Sequence, residues 1–305
     1  MIKQLLTPKV WITVASLAFI SVALVHQGEK LGQLRLGTSG WWLLLLGLGF
    51  TWLSILMNGL AWHLLLGWLG HRPKGVALVP LFVRSNLLKY LPGGIWHLVE
   101  RIRVLRPAIG GGTALAGVIL DPLLIVAASS LLLIAGGWQK GLLLLAPLPA
   151  LLLLLPRWRE LILRRLERSK AAQLETQGVG ELQVLGRGRD GCPWIPLAAE
   201  LAFVLVRFAG FACCLLAFDL IPPALPLWLA AFALAYAVGL VVPGAPGGMG
   251  VFEATLLLRL GSSVDEPSLL AVVLSYRVIS TLADLLAAAV LAADQSLMQR
   301  LRPNA

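Results

Sequence analysis

Apolar residues gather in eight blocks, at 10–26, 41–69, 76–106, 111–137, 141–156, 194–220, 227–260 and 267–293. A helix needs about 20 apolar residues to cross a hydrocarbon core about 30 Å thick. The blocks therefore predict a chain built of membrane helices. Trp stands near many block ends, at Trp11, Trp41, Trp42, Trp68, Trp138, Trp158, Trp194 and Trp228, as in an interfacial aromatic belt. Two blocks are not simple spans. Block 76–106 carries Arg84 and Lys89 and then Pro92-Gly93-Gly94; block 227–260 is interrupted by Pro243-Gly244-Ala245-Pro246-Gly247-Gly248. Pro lacks the amide donor and Gly favours non-helical dihedrals. Each block thus predicts two half-helices of about 14 residues, each about 21 Å long, long enough to pass the membrane centre and return.

Basic residues set the orientation. The segment 157–193 holds Arg157, Arg159, Arg164, Arg165, Arg168, Lys170, Arg187 and Arg189, and basic loops stay in the cytoplasm. Counting from there, Arg72, Lys74, Arg101, Arg103 and Arg106 fall inside only if block 76–106 enters and leaves on the cytoplasmic side. The acidic loop at Asp265 and Glu266 falls outside only if block 227–260 does the same from outside. The expectation is an all-α polytopic membrane protein with about six spanning helices and two re-entrant helical hairpins. Span, hairpin and span then occur twice, in 41–137 and in 194–293, with opposite orientation. This is an inverted repeat of the kind many secondary transporters use. Pro92-Gly93-Gly94 is followed by Glu100, and Pro246-Gly247-Gly248 by Glu253; Asp121 and Asp284 sit in the spans that follow. Residues 1–305 read as one integral membrane domain with 157–193 as its basic cytoplasmic loop. It is expected in the cell inner (plasma) membrane, multi-pass, with both termini cytoplasmic. Lys3 and Lys9 before Val10–Val25, with Ser21-Val22-Ala23 near the end of that stretch, resemble a signal peptide; the reading favours an uncleaved first helix.

Composition agrees. Apolar residues make up 58% and charged residues 13%, where soluble domains carry about 25% charged. That excludes a soluble multidomain enzyme and a disordered chain. The net charge of +10 suits cytoplasmic loops facing anionic lipid, and no nucleic-acid module is present. Cys192, Cys213 and Cys214 form neither a metal spacing nor a disulfide framework.

Charges at membrane depth are costly and mark function by default. Lys89 lies three residues before the first break, and Arg84 one turn earlier. Arg277 and Asp284 are seven apart on one helix face, which suits either a structural arrangement or contact with a lipid phosphate. Glu253 follows the second break, where it either satisfies free helix N–H groups or exchanges a proton. Asp121 precedes Pro122 in an apolar span. Glu100 and Arg101 read as nearer the surface, and Glu200 with Arg207 as an internal ion pair. Helices restart near Ile95 and Met249, and helix N-termini favour phosphate or carboxylate. The expected substrate-binding set is Arg84, Lys89, Pro92, Gly93, Gly94, Gly247, Gly248, Gly250 and Arg277. Glu253, Asp284 and Asp121 are the proton-coupling or structural acids. The site should favour an anion. His26, His63, His71 and His97 lack metal spacing, although His97 is placed either to line the site or to pack beside it. Gly247-Gly248-Met249-Gly250 lacks the Lys-Ser/Thr of a nucleotide loop. No catalytic constellation, cofactor or metal is expected, so the chain does not read as an enzyme.

The stretches KYLPGGIWHLVER (89–101), VVPGAPGGMGVFEATLL (241–257) and SYRVISTLADLL (275–286), with an acid at Asp121, resemble the lysylphosphatidylglycerol synthase transmembrane-region family. That family is the flippase half of the multiple-peptide-resistance proteins. The resemblance covers nearly the whole chain. It aligns Lys89, Tyr90, Pro92 and Gly93 with the first motif, with Arg101 or Arg103 as its trailing Arg. It aligns Pro243, Gly247, Gly248, Gly250 and Glu253 with the second, and Tyr276 and Arg277 with the third. Asp121 stands where the family more often has Glu. The aminoacyl-transferase domain of the two-part synthases has no counterpart in these residues, so lysine transfer is not expected. The resemblance implies a flippase or scramblase for an anionic or phosphate-bearing lipid. The expected partners are an anionic phospholipid or polyprenyl-phosphate lipid and the membrane, with no nucleic acid and with a homodimer left open. The alternatives are a secondary transporter of a small soluble anion and a non-catalytic partner in envelope lipid or glycolipid synthesis.

Overall fold

The computed structural model describes residues 37–91, 95–136, 147–175, 191–220, 225–242, 250–261, 264 and 266–301. Among them the chain is helical and has no strand. The helices are α1 (Thr38–Trp68), α2 (Leu78–Asn86), α3 (Trp96–Ile109), α4 (Gly111–Leu132), α5 (Leu148–Leu154), α6 (Pro156–Leu174), α7 (Trp194–Ala217), α8 (Leu225–Val241), α9 (Val251–Leu260) and α10 (Glu266–Leu301). Four stretches are long and apolar enough to cross a membrane: Thr38–Trp68, Gly111–Gly136, Trp194–Ala217 and Ser268–Asp294. Block 76–106 forms α2, a 3-10 turn at Leu87–Tyr90, and then α3; block 227–260 forms α8 and α9. The expected first span at 10–26 lies outside the described residues, as do Pro92, Gly93, Gly94, Pro243, Gly247 and Gly248. Within block 141–156 only the short α5 is described, and residues 141–146 lie outside.

The basic segment differs from a plain loop. Its first part is α6, which turns Arg159, Leu163, Glu167, Ala171 and Leu174 inward. Steps of four, four, four and three residues place these on one helix face, against α4 and α5. The remaining basic residues of α6 stay exposed or half-exposed. An amphipathic pattern was hidden there by the high density of Arg.

Helix α1 runs alongside α7 over most of its length and also meets α10. Helix α4 packs against α7 and α8, while α10 packs against α1, α2, α7 and α9. Two large apolar cores result, with a small third at Ile55, Val83, Ala283 and Ala287. One joins Trp62, Leu66, Ile102, Leu105 and Leu115. The other is aromatic: Phe211, Phe232, Phe252 and Tyr276 stack edge-on or tilted, with Phe211 and Phe232 centroids 5.1 Å apart. Apolar residues such as Trp41, Trp42, Leu45 and Leu258 are left outside. A lipid solvent accommodates them at no cost, since hydrocarbon surrounds a membrane helix.

Helices in lipid approach closely where side chains are small. The α1–α7 contact has that form. A Cβ added at Gly210 would lie 2.3 Å from Thr51 Oγ1 and 3.0 Å from the Gly47 carbonyl oxygen, and one at Gly47 3.0 Å from the Gly210 carbonyl oxygen. Gly210→Val is expected to lower stability by about 1–3 kcal/mol through overpacking. Gly49→Ala, where nothing lies within 4 Å, is expected to cost nothing and to raise stability by up to about 1 kcal/mol through helix propensity. Thermal unfolding of the two variants in detergent measures the difference.

Candidate functional site: a cationic cavity between two broken helices

Between the helices lies a cavity of about 640 Å³. Tyr90 and Ile95, on either side of the first break, line it, as do Val242 and Phe252 on either side of the second. Its charged lining, among the described residues, is Lys89, Arg101, Lys170, Arg207 and Arg277 against one carboxylate, Asp121. Three ion pairs hold Lys89, Arg101 and Arg277 in place, and each pair joins two different elements.

The first pair ties the first broken element to the last helix. Asp284 on α10 is fully buried and takes Lys89 Nζ at 2.7 Å. Tyr90 Oη donates to it at 2.6 Å and Asn86 Nδ2 at 2.7 Å. The 3-10 turn explains the convergence, because it brings Asn86, Lys89 and Tyr90 to one side of a tightened helix end. The second pair joins Glu253, in the first turn of α9, to Arg277 on α10. Arg277 Nε donates to Glu253 Oε1, and Nη2 to Oε2 at 3.2 Å, a two-pronged contact. The guanidinium also rests 4.7 Å from the Phe252 ring. The third pair joins Arg101 on α3 to Asp121 on α4 at 3.4 Å. Arg101 Nε donates to Ser85 Oγ at 3.0 Å, and its guanidinium lies 3.7 Å over Phe82.

Arg207 has no such partner. It projects from α7 into the cavity and is only 7% exposed. Its Nη1 donates to Ser54 Oγ at 3.2 Å, its Nε has no hydrogen-bond acceptor, and the Tyr236 ring lies 5.8 Å away. No carboxylate forms a salt bridge with it among the described residues. The polar atoms of Asn58, Ser280 and Tyr276 beside the cavity also lack partners, at Oδ1, Oγ and Oη.

The structure thus gathers Lys89, Arg277 and Asp121 at one cavity, with Asp284 and Glu253 behind the first two as anchors. It places Arg84 elsewhere: its side chain is 57% exposed and lies 4.0 Å from Glu100. Five residues turn a helix by about 140° beyond one full revolution, so Arg84 and Lys89 point in different directions. Gly250 caps α9 with φ of 83°, a left-handed conformation that suits Gly, and it does not line the cavity. Three expectations are corrected. Arg277 and Asp284 do not pair, since seven residues separate them by about 10 Å along the axis; each serves a different broken element. The same spacing keeps Glu200 and Arg207 apart. Arg101 is buried, 2% exposed, because a guanidinium that stacks on aromatics and meets a carboxylate tolerates burial. His97 does line the cavity. Asn86, Tyr90 and Arg207 were missed as site residues. An Arg in an apolar span with no acid three or four residues away was the available signal for Arg207.

A helical chain with several spans, two broken elements and buried ion pairs around a central cavity is a multi-pass membrane protein. Residues 10–288 match the family described as lysylphosphatidylglycerol synthase TM region, and the chain belongs to that family. No curated protein and no solved structure matches it.

Removing one member of a buried pair leaves an uncompensated charge and costs about 3–5 kcal/mol. Asp284→Ala is therefore expected to destabilise by about that amount. The double change Lys89→Met with Asp284→Leu is expected to recover the part owed to the unpaired Lys89 charge, but not the part owed to the Tyr90 and Asn86 donors. Thermal unfolding in detergent checks both.

Proposed function

We propose that this protein moves a lipid with an anionic, phosphate-bearing headgroup between bilayer leaflets, as a transporter and not an enzyme. The observation that carries the reading is Arg207, a buried cation that faces the cavity without a salt bridge of its own among the described residues. A buried charge without a direct ionic partner is unfavourable, and an anion that comes and goes would supply one. Lys89 and Arg277 face the same space with their own carboxylates behind them. A cavity of about 640 Å³ lies within the range of small-ligand sites, about 300–1,000 Å³, and suits a headgroup while the acyl chains stay in the bilayer. Family membership favours a lipid over a soluble anion.

The proposal includes the finer architecture: about six spans, two re-entrant hairpins, an inverted repeat, and an inner-membrane location with both termini cytoplasmic. The packing supports the repeat. Among these eight helices, exchanging α1 with α7, α2 with α8, α3 with α9 and α4 with α10 turns each observed contact into an observed one: α1–α10 into α7–α4, α2–α10 into α8–α4, and α3–α4 into α9–α10. The ion pairs follow the same exchange with reversed sign. Arg101 of the first half meets Asp121 of the next span; Glu253 of the second half meets Arg277 of the next.

The test is reconstitution in liposomes with fluorescent phosphatidylglycerol and, separately, phosphatidylcholine, reading leaflet exchange by quenching. Protein-dependent exchange that favours phosphatidylglycerol is expected. Arg207→Gln is expected to slow it about tenfold, the worth of one charge-assisted hydrogen bond of about 1.5 kcal/mol. Absence of exchange of any anionic lipid, with the fold intact, overturns the reading. Competition by a soluble phosphate ester but by no lipid would favour transport of a small anion.

A further inference from the structure

One buried group takes no part in the pairs above. Glu200 on α7 is completely buried, and neither of its carboxylate oxygens has a hydrogen-bond partner. Its carboxyl faces Asp121 within hydrogen-bonding reach. Asp121 is 5% exposed, and its Oδ2 accepts from Arg101 while its Oδ1 has no donor. Three acceptor oxygens thus confront one another with no donor among them. Two carboxylates in contact in a low-dielectric interior do not both ionise. One guanidinium, Arg101, neutralises one of the two negative charges, and the second has no cation of its own.

We propose that Asp121 and Glu200 form a proton-binding site that holds one shared proton at neutral pH and exchanges it with the cavity. The proton supplies the missing donor, as a carboxyl–carboxylate hydrogen bond between the two side chains. It also leaves Arg101, Asp121 and Glu200 neutral as a group, which removes the cost of an unpaired buried charge. Asp121 lines the cavity and Glu200 does not, so the proton passes through the Asp121 carboxyl. The other ionisable groups turned to the cavity from helices packed on α4 are Arg101 and His97 on α3, Lys170 on α6, Arg207 on α7 and Tyr236 on α8. Glu167 is also buried on α6. Among the described residues, only Arg101 forms a salt bridge with Asp121.

The site has a consequence for transport, and this part rests on the lipid reading. An anion that binds Arg101 from the cavity draws the guanidinium from Asp121. The pair then holds its proton more tightly, and by reciprocity a protonated pair binds the anion more tightly. Lipid movement would then be linked to a pH gradient.

Infrared spectroscopy of the folded protein in nanodiscs tests the site without any transport. Wild-type protein at neutral pH is expected to show the carbonyl stretch of a protonated carboxyl, shifted in heavy water. Glu200→Gln, which keeps the shape and donates to Asp121, is expected to lose one carboxyl's worth of that band. Asp121→Asn is the second variant, should the first misfold, with the same expected loss. A band unchanged by either substitution, or no band in wild type between pH 6 and 8, overturns the proposal. In liposomes, an imposed pH gradient is expected to change the wild-type exchange rate at least threefold and to leave Glu200→Gln unaffected. Presence of the band without lipid exchange removes the lipid reading and leaves the proton site standing. Lipid exchange without the band does the reverse.

Discussion

Lys89 and Asp284 meet where neither charge survives alone. Hydrocarbon offers no hydrogen bonds, so every charge and every broken helix end at that depth must be satisfied from inside the protein. The 3-10 turn at Leu87–Tyr90 ends the first half-helix, and Asp284 receives two donors from it, Lys89 and Tyr90, and a third from Asn86 just before it. That contact fixes the first broken element on α10. Arg277, two turns earlier on the same helix, fixes the second through Glu253. A single helix therefore holds both breaks, and the cavity is the space they leave between them.

The pairing explains how a cavity so rich in cations persists. Lys89, Arg101 and Arg277 each have a carboxylate behind or beside them, so their positive charge is local and partly cancelled. Arg207 adds a buried charge that has no salt bridge among the described residues. A site of this kind would attract an anion without holding it permanently, as the proposed passage requires. The aromatic core at Phe211, Phe232, Phe252 and Tyr276 keeps the frame rigid around it. A neutral, stacked core next to a charged cavity separates the work of packing from the work of binding.

Much of the fold was legible in the sequence. Long apolar blocks gave the four spanning stretches, and Pro-Gly clusters located both interruptions to within a few residues. Arg density hid α6, because composition spoke for a loop while the four-residue spacing of Arg159, Leu163 and Glu167 spoke for a buried face. The site was half legible. Depth alone picked out Lys89, Arg277, Asp121, Glu253 and Asp284. Partner choice was not readable, because pairs within one helix were assumed where the fold pairs residues far apart in sequence. Arg277 chose Glu253 and Asp284 chose Lys89, and Glu200 turned to another acid. Only the tertiary arrangement brings such residues together.

The central claim is that Arg207 receives a phosphate headgroup in this cavity. Native mass spectrometry of the detergent-purified protein with equal amounts of phosphatidylglycerol and phosphatidylcholine tests it most directly. The account predicts a retained phosphatidylglycerol adduct on wild-type protein that falls about tenfold in Arg207→Gln, the loss of roughly one charge-assisted contact. Equal retention of the two lipids, or an adduct that Arg207→Gln leaves unchanged, would contradict it.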